Sequence, residues 1–379
     1  MSRHVRWFVL AVLLVVGCRG TGPQKDRPYY PDRSADTVPV EARVLAGVDP
    51  AVHHSQQAGL ARAPVQAPRV LRARLDNGLS IVVRERHEVP LVATVLLYKV
   101  GSRDEPTGQT GLSHFLEHMM FKGTERLAKG EIDHLTMKNG GQNNAFTSKD
   151  VTAYHFLFPS DRWQVALDIE ADRMRNCRFD PAEVDAERNV VKEEMRGWLD
   201  TPWEESTNRL DEALFGARGY AHPIIGYDKD LDAITRDQFF EHYRRWYAPN
   251  NAVLVLEGDI DADQAVQAVR ERCASIPSAE LPERTADETV AGAAQQRIEI
   301  EDDATLRRCM IGFRTCRYAH PDARALHVIA ALLSEGKLSR LERELVRGRQ
   351  LLREVSVGQD DGAADSALYV QAELYADRD

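Results

Sequence analysis

Residues 111–121 read Gly-Leu-Ser-His-Phe-Leu-Glu-His-Met-Met-Phe, an apolar-rich run that follows a polar loop and stops before Gly123. The spacing predicts a helix over residues 111–122. At about 100° per residue, His118 lies roughly 40° round from His114 and Glu117 roughly 60° to its other side, so the three share one face. Two neutral imidazoles at i and i+4 can hold one Zn2+. The carboxylate between them can take a proton from the attacking water and hand it to a leaving amine. The order His-x-x-Glu-His is that of the inverted zinc-helix motif.

The chain on either side of this helix reads as an α+β fold. Val70 to Leu75 and Leu79 to Arg84 alternate about Asp76-Asn77-Gly78, a tight-turn signal, and form a hairpin. Residues 91–100 are a more continuously apolar strand, expected at the centre of the sheet. A polar segment, 138–144, leads into an expected strand over 145–158. Asp180-Pro181 places a capping residue before a proline at the first helical position, and that helix is expected to run to about Trp198. Thr235 with Gln238 has the form of a capping box for a helix ending near Tyr247. Hairpins and helices without regular strand–helix alternation favour α+β over a doubly wound sheet. Residues 278–295 read as a linker between a first domain over 70–277 and a second over 296–379. That second domain has strands near 296–300, 308–314 and 367–374 and helices near 321–333 and from 338, and it looks incomplete.

Two histidines leave a tetrahedral zinc one protein ligand short. The helix after Asp180 offers Glu187 and Glu194, seven residues apart and so within about 20° on one face, with Val191 between them and Glu193 turned about 100° away. An apolar residue on the glutamate face suggests that this face turns inward, whereas a charged helix with solvated glutamates is the commoner arrangement.

The N-terminus reads as an address. Arg3 and Arg6 precede a ten-residue apolar run, 7–16, too short to span a bilayer and suited to the core of a signal peptide. Val15-Val16-Gly17-Cys18 resembles a bacterial lipobox, with Cys18 as the lipidated residue, and Arg19 in place of Asp favours the outer membrane, facing the periplasm. Residues 19–69 carry seven prolines and few large apolar residues, so they are expected to be a flexible tether. For the chain as a whole, 43% hydrophobic and 28% charged residues exclude a wholly disordered or fibrous protein. A net charge of −10 argues against non-specific nucleic-acid binding. Five cysteines are too few for a disulfide scaffold; Cys309 and Cys316 should face opposite sides of a strand, and whether Cys177 and Cys273 pair stays open.

The chain resembles the pitrilysin, insulinase and mitochondrial processing peptidase family of zinc metallopeptidases. The resemblance runs through Tyr98-Lys99-Val100-Gly101-Ser102-Arg103-Asp104-Glu105, the His-x-x-Glu-His helix and Phe121-Lys122-Gly123-Thr124. It continues through Gly140-Gly141, Asn144-Ala145-Phe146-Thr147 and Asp150-Val151-Thr152-Ala153-Tyr154. Further on come Glu187-Arg188-Asn189-Val190-Val191-Lys192-Glu193-Glu194, His222-Pro223 with Gly226, and the stretch from Tyr247 to Asp259. It implies repeated α+β domains, with His114, His118 and Glu194 as zinc ligands and Glu117 as general base. Glu187 would orient a ligand histidine. Asn144 and Ala145 would lie on a strand edge that takes the peptide substrate by strand addition. It also implies a chamber completed by further domains, by a second peptidase-like subunit or by a homodimer. A non-catalytic scaffold subunit is the alternative within the same family.

Overall fold

The computed structural model describes residues 5–11, 69–284, 295–302 and 306–375. Val5–Ala11 forms β1. The apolar run expected to be a signal-peptide core falls partly on it, while Cys18 and all but the last residue of the expected tether lie outside the described residues.

Val70–Arg74 (β2) and Ser80–Glu85 (β3) form the hairpin read from Asp76-Asn77-Gly78. Gly78 has a φ of 90°, and a Cβ there would meet Asn250 Cβ at 2.7 Å, so the turn needs glycine on both counts. Leu91–Tyr98 (β4) is followed by Leu112–Met119 (α1), Glu131–Lys138 (α2), Gln142–Thr147 (β5) and Thr152–Pro159 (β6). Then come Gln164–Asn176 (α3), Pro181–Leu199 (α4), Glu204–Phe215 (α5), Asp228–Ala233 (α6), Arg236–Trp246 (α7), Ala252–Gly258 (β7) and Ala262–Cys273 (α8). The sheet order is β2-β3-β7-β4-β6-β5, with β3 and β7 parallel and the other neighbours antiparallel. β4 sits inside this sheet, as its apolar run suggested, and β5 ends it.

Burial alternates along β4: Val92, Thr94, Leu96 and Tyr98 are buried and Ala93, Val95 and Leu97 only partly so. Helices therefore cover one face of the sheet, where Phe115, Leu116, Leu167, Val191, Phe239 and Val269 join the sheet residues in one core. The expected strand over 145–158 is in fact two strands, β5 and β6. They are joined by a turn over 148–151 in which Ser148 N–H donates to Val151 O (2.8 Å) and Ser148 Oγ accepts from Asp150 and Val151 N–H. The turn contains no glycine or proline, so neither of the strongest break signals marks it.

The remaining elements are Gln296–Asp302 (β8), Arg308–Thr315 (β9), Ala323–Ser334 (α9), a short wide helical turn over Glu342–Gly348, Leu352–Gln359 (β10) and Ser366–Leu374 (β11). They build a second sheet in the order β10-β11-β9-β1-β8, with β1 antiparallel to β8 and parallel to β9. α5 packs beneath it: a Cβ on Gly312 of β9 would meet the Leu214 side chain at 2.6 Å. A polar seam runs beside that contact. Asp365 accepts from Arg314 (Nε, 2.8 Å) and Arg218 (2.9 Å). Ala363 N–H donates to Asp150 (3.0 Å), and Ala364 N–H to Tyr220 Oη (3.0 Å). Cys177 and Cys273 are buried free thiols, so they do not pair.

Candidate metal centre

α1 starts at Gly111, whose φ of 88° puts it in the left-handed region and which has no side chain to cap the helix. The cap comes from outside. Glu105 accepts from Gly111 N–H (2.8 Å) on one carboxylate oxygen and from Ser113 N–H (2.7 Å) on the other. Burial pushes the Glu105 carboxyl up to about 8, against the pull of those two N–H bonds. Ser113 Oγ donates to Gly101 O (3.1 Å) and lies 3.2 Å from His242 Nε2 of α7. Every residue of α1 except His118 is buried, because the helix is wedged between the sheet, α4 and α7. His118 is the one left at the rim.

α4 turns its Glu187–Val191–Glu194 face toward α1. Glu187 and Val191 are buried, Glu194 is half-buried and Glu193 is exposed. One ligand atom from each of His114, His118 and Glu194 lies within 4.8 Å of the others. His114 Nε2 is 3.8 Å from Glu194 Oε1, and His118 Nε2 is 3.4 Å from Glu194 Oε2. Donors bonded to one tetrahedral zinc at 2.0–2.1 Å stand about 3.4 Å apart, so two imidazoles and a carboxylate at this spacing fit that ion. The His114 ring also faces Trp198 of α4 at 6.1 Å between centroids.

The electrostatics of the three groups differ. Burial, helped by neighbouring His118, lowers His114 to about 4 and keeps it neutral, as a metal ligand must be. Burial also works against a charged His118, but hydrogen bonds to Glu187 and Glu194 outweigh it and lift the imidazole to about 9. Its Nδ1 lies 3.0 Å from Glu187 Oε1, and Lys122 Nζ reaches Glu187 Oε2 at 2.5 Å. Burial resists ionisation of Glu187, yet these two partners hold its carboxyl below the usual range. With Nδ1 engaged by Glu187, His118 presents Nε2 toward Glu194.

Glu117 is buried beside the cluster, and burial raises its carboxyl. Thr147 Oγ1, at the end of β5, donates to Glu117 Oε2 at 2.6 Å. Asn144 and Ala145 lie on the same strand, paired with His155 and Tyr154 of β6, and Asn144 Oδ1 accepts from Ala145 N–H (2.9 Å). The structure thus gathers His114, Glu117, His118, Glu187 and Glu194 at one place, with Asn144 and Ala145 on the adjoining edge strand. Thr147, Lys122, Trp198 and Glu105 complete the surroundings, and sequence reasoning had given none of the four a role. Thr147, Lys122 and Trp198 act across the fold, and Glu105 across a loop, with no periodic spacing to mark them.

Residues 80–227 match the family model described as insulinase (peptidase family M16), and residues 233–378 match the peptidase M16 inactive domain. The zinc protease PqqE of Helicobacter pylori is 29% identical over 292 residues, 75% of this chain and 65% of that protein. The chain therefore spans a little under two thirds of that relative's length. An uncharacterized zinc protease of Mycobacterium leprae is 31% identical over 327 residues, covering 85% of this chain and 73% of the relative. Among solved structures, a protease from Helicobacter pylori superposes with a TM-score of 0.72 at 26% identity, over 82% of this chain and 76% of that one.

Proposed function

The chain belongs to the insulinase family of M16 peptidases, and from that premise we propose that it is a zinc-dependent endopeptidase acting on peptides or unfolded protein segments. The observation that carries this reading is the convergence of His114 and His118 from α1 with Glu194 from α4, with Glu117 beside them. The inactive-domain match lies over residues 233–378, away from all four.

His114, His118 and Glu194 would hold the ion, and Glu187 fixes the His118 ring through Nδ1. Zinc bound there supplies a Lewis acid for the scissile carbonyl and acidifies water. Glu117 is placed to take the proton from the attacking water and return it to the leaving amine, and its raised carboxyl suits both transfers. β5, the last strand of its sheet, offers Asn144 and Ala145 to an extended peptide, with main-chain hydrogen bonds giving affinity and side-chain pockets preference. The reading includes a lipid anchor at Cys18 that holds the body at the outer membrane facing the periplasm. The basic, apolar and lipobox segments of the first 18 residues support that placement.

The test is metal content and cleavage measured on the same preparations. The parent protein should bind zinc stoichiometrically and cleave a mixed peptide pool in a chelator-sensitive manner, and His118→Ala should lose both. Glu117→Gln should keep the zinc and lose about 10²- to 10⁴-fold in turnover. Undiminished cleavage by Glu117→Gln would remove Glu117 from the role of base, and a parent without zinc would favour a scaffold subunit.

A further inference from the structure

The position of Glu117 in its hydrogen bonds goes beyond the metal cluster. Its Oε2 receives the Thr147 hydroxyl at 2.6 Å, while among the described residues no donor reaches Oε1. The other partner in range of the Thr147 proton is Thr152 Oγ1, at 3.5 Å, and Thr152 spends its own proton on Val100 O at 3.0 Å. Distance therefore gives the Thr147 proton to Glu117.

Thr147 is itself held tightly. It pairs with Thr152 as the last rung between β5 and β6, and the next four residues form the turn over 148–151. Ser148 O and Lys149 O accept from Ser102 and Arg103 N–H, both at 3.0 Å. A Cβ on Gly101 would sit 2.3 Å from Ser148 O, so the two segments touch backbone to backbone. Asp150 forms an ion pair with Arg103 (Nε to Oδ1, 2.9 Å) and accepts from the Tyr220 hydroxyl (2.7 Å). The buried Lys149 ammonium donates to Tyr220 O (3.0 Å). A threonine at the end of so constrained a turn has little freedom to wander.

We propose that Thr147 is a positioning residue for the base: its hydroxyl clamps one oxygen of Glu117 and leaves the other, Oε1, aimed at the water to be activated. The proposal rests on the peptidase reading for its catalytic consequence, but the clamp itself is a property of two side chains. A carboxylate free to swing about its last torsions would spend much of its time out of reach of the proton it must take, and small displacements of catalytic groups are costly.

The experiment compares Thr147→Val, which keeps shape and β-branching but not the hydroxyl, with Thr147→Ser, which keeps the hydroxyl. Thr147→Val should lower kcat roughly 10- to 100-fold, a part of what a positioned base contributes. KM for a peptide substrate and zinc content should stay within about twofold, since neither depends on the clamp. Thr147→Ser should recover most of the lost kcat. In a Glu117→Gln background, Thr147→Val should have much less effect, because the group it serves is already changed. An unchanged kcat in Thr147→Val, or a loss carried wholly by KM or zinc content, overturns the proposal and assigns Thr147 to strand structure. The same cycle is read by thermal unfolding of the metal-free variants, where coupling between the two sites is expected and full additivity overturns the clamp. If the parent protein cleaves nothing while unfolding shows the coupling, the peptidase reading fails and the clamp stands.

Discussion

Two histidines, His118 at the rim of the site and His242 buried beneath it, answer to pH differently. His118 is flanked by two carboxylates and takes a proton readily, whereas His242 is enclosed in α7 and, among the described residues, has only Ser113 Oγ at hydrogen-bonding distance from its Nε2. Burial, with Arg245 nearby, drives His242 down to about 3. An unfolded imidazole titrates near 6.5, so on acidification the unfolded chain takes up this proton first. The stability contributed by keeping His242 neutral is complete above about pH 6.5 and drains away as pH falls toward 3, by up to about 1.4 kcal/mol per pH unit. His242→Gln should therefore be less stable than the parent at neutral pH but lose less between pH 6.5 and 4, as read by thermal unfolding across a pH series. Parallel curves would show that His242 titrates normally in the fold. A seven-residue spacing with Val191 between them put Glu187 and Glu194 on one helix face, and the family resemblance, not the spacing, singled out Glu194. The Thr147 partner of Glu117 and the Lys122 partner of Glu187 were not legible, because they arrive through tertiary contacts that no periodicity encodes.

At the scale of the element, α1 was readable because its apolar and polar positions follow a helical period. Its beginning was less so. A helix opening on Gly111 carries no side chain of its own to receive its first amides, and the hydroxyl of neighbouring Thr110 is engaged with Asp230 and Tyr227 instead. Glu105, six residues upstream and fully enclosed, does that work across the loop. Glu105→Ala should cost about 1–3 kcal/mol by leaving the amides of Gly111 and Ser113 unpaired in a buried place. Chemical denaturation measures the loss, and amide exchange should rise first in the opening turn of α1. A loss below a few tenths of a kcal/mol would mean that water or a shifted backbone replaces the carboxylate. The β5–β6 hairpin was misread as one strand for the opposite reason. Apolar residues continue on both sides of the turn, and Ser148, Lys149 and Asp150 close it by hydrogen bonds that look like ordinary surface chemistry in a sequence.

For the whole molecule, the second sheet is joined to the first by charges as well as by apolar packing. Asp365 is buried and takes guanidinium groups from both sides, Arg314 from its own sheet and Arg218 from the loop after α5. Removing one member of such a set leaves buried charge uncompensated, so Asp365→Ala should lose about 3–5 kcal/mol. Because Ala363 and Ala364, beside it, hold Asp150 and Tyr220, the same variant should loosen the turn over 148–151, seen as faster amide exchange there than in α3. Exchange confined to β11 would show that the two sheets are not mechanically joined at this seam. The two-domain α+β class was legible because hairpin and helix signals are local. The seam was not, since its paired members lie from 51 to 213 residues apart. The position of β5 has one more consequence. A strand edge cannot tell one extended segment from another: a peptide and a segment of another copy frayed open in a crowded solution would compete for the same backbone groups. The strand proposed to grip a peptide is thus also the place where this protein would clog, and an occupying peptide would keep it clear.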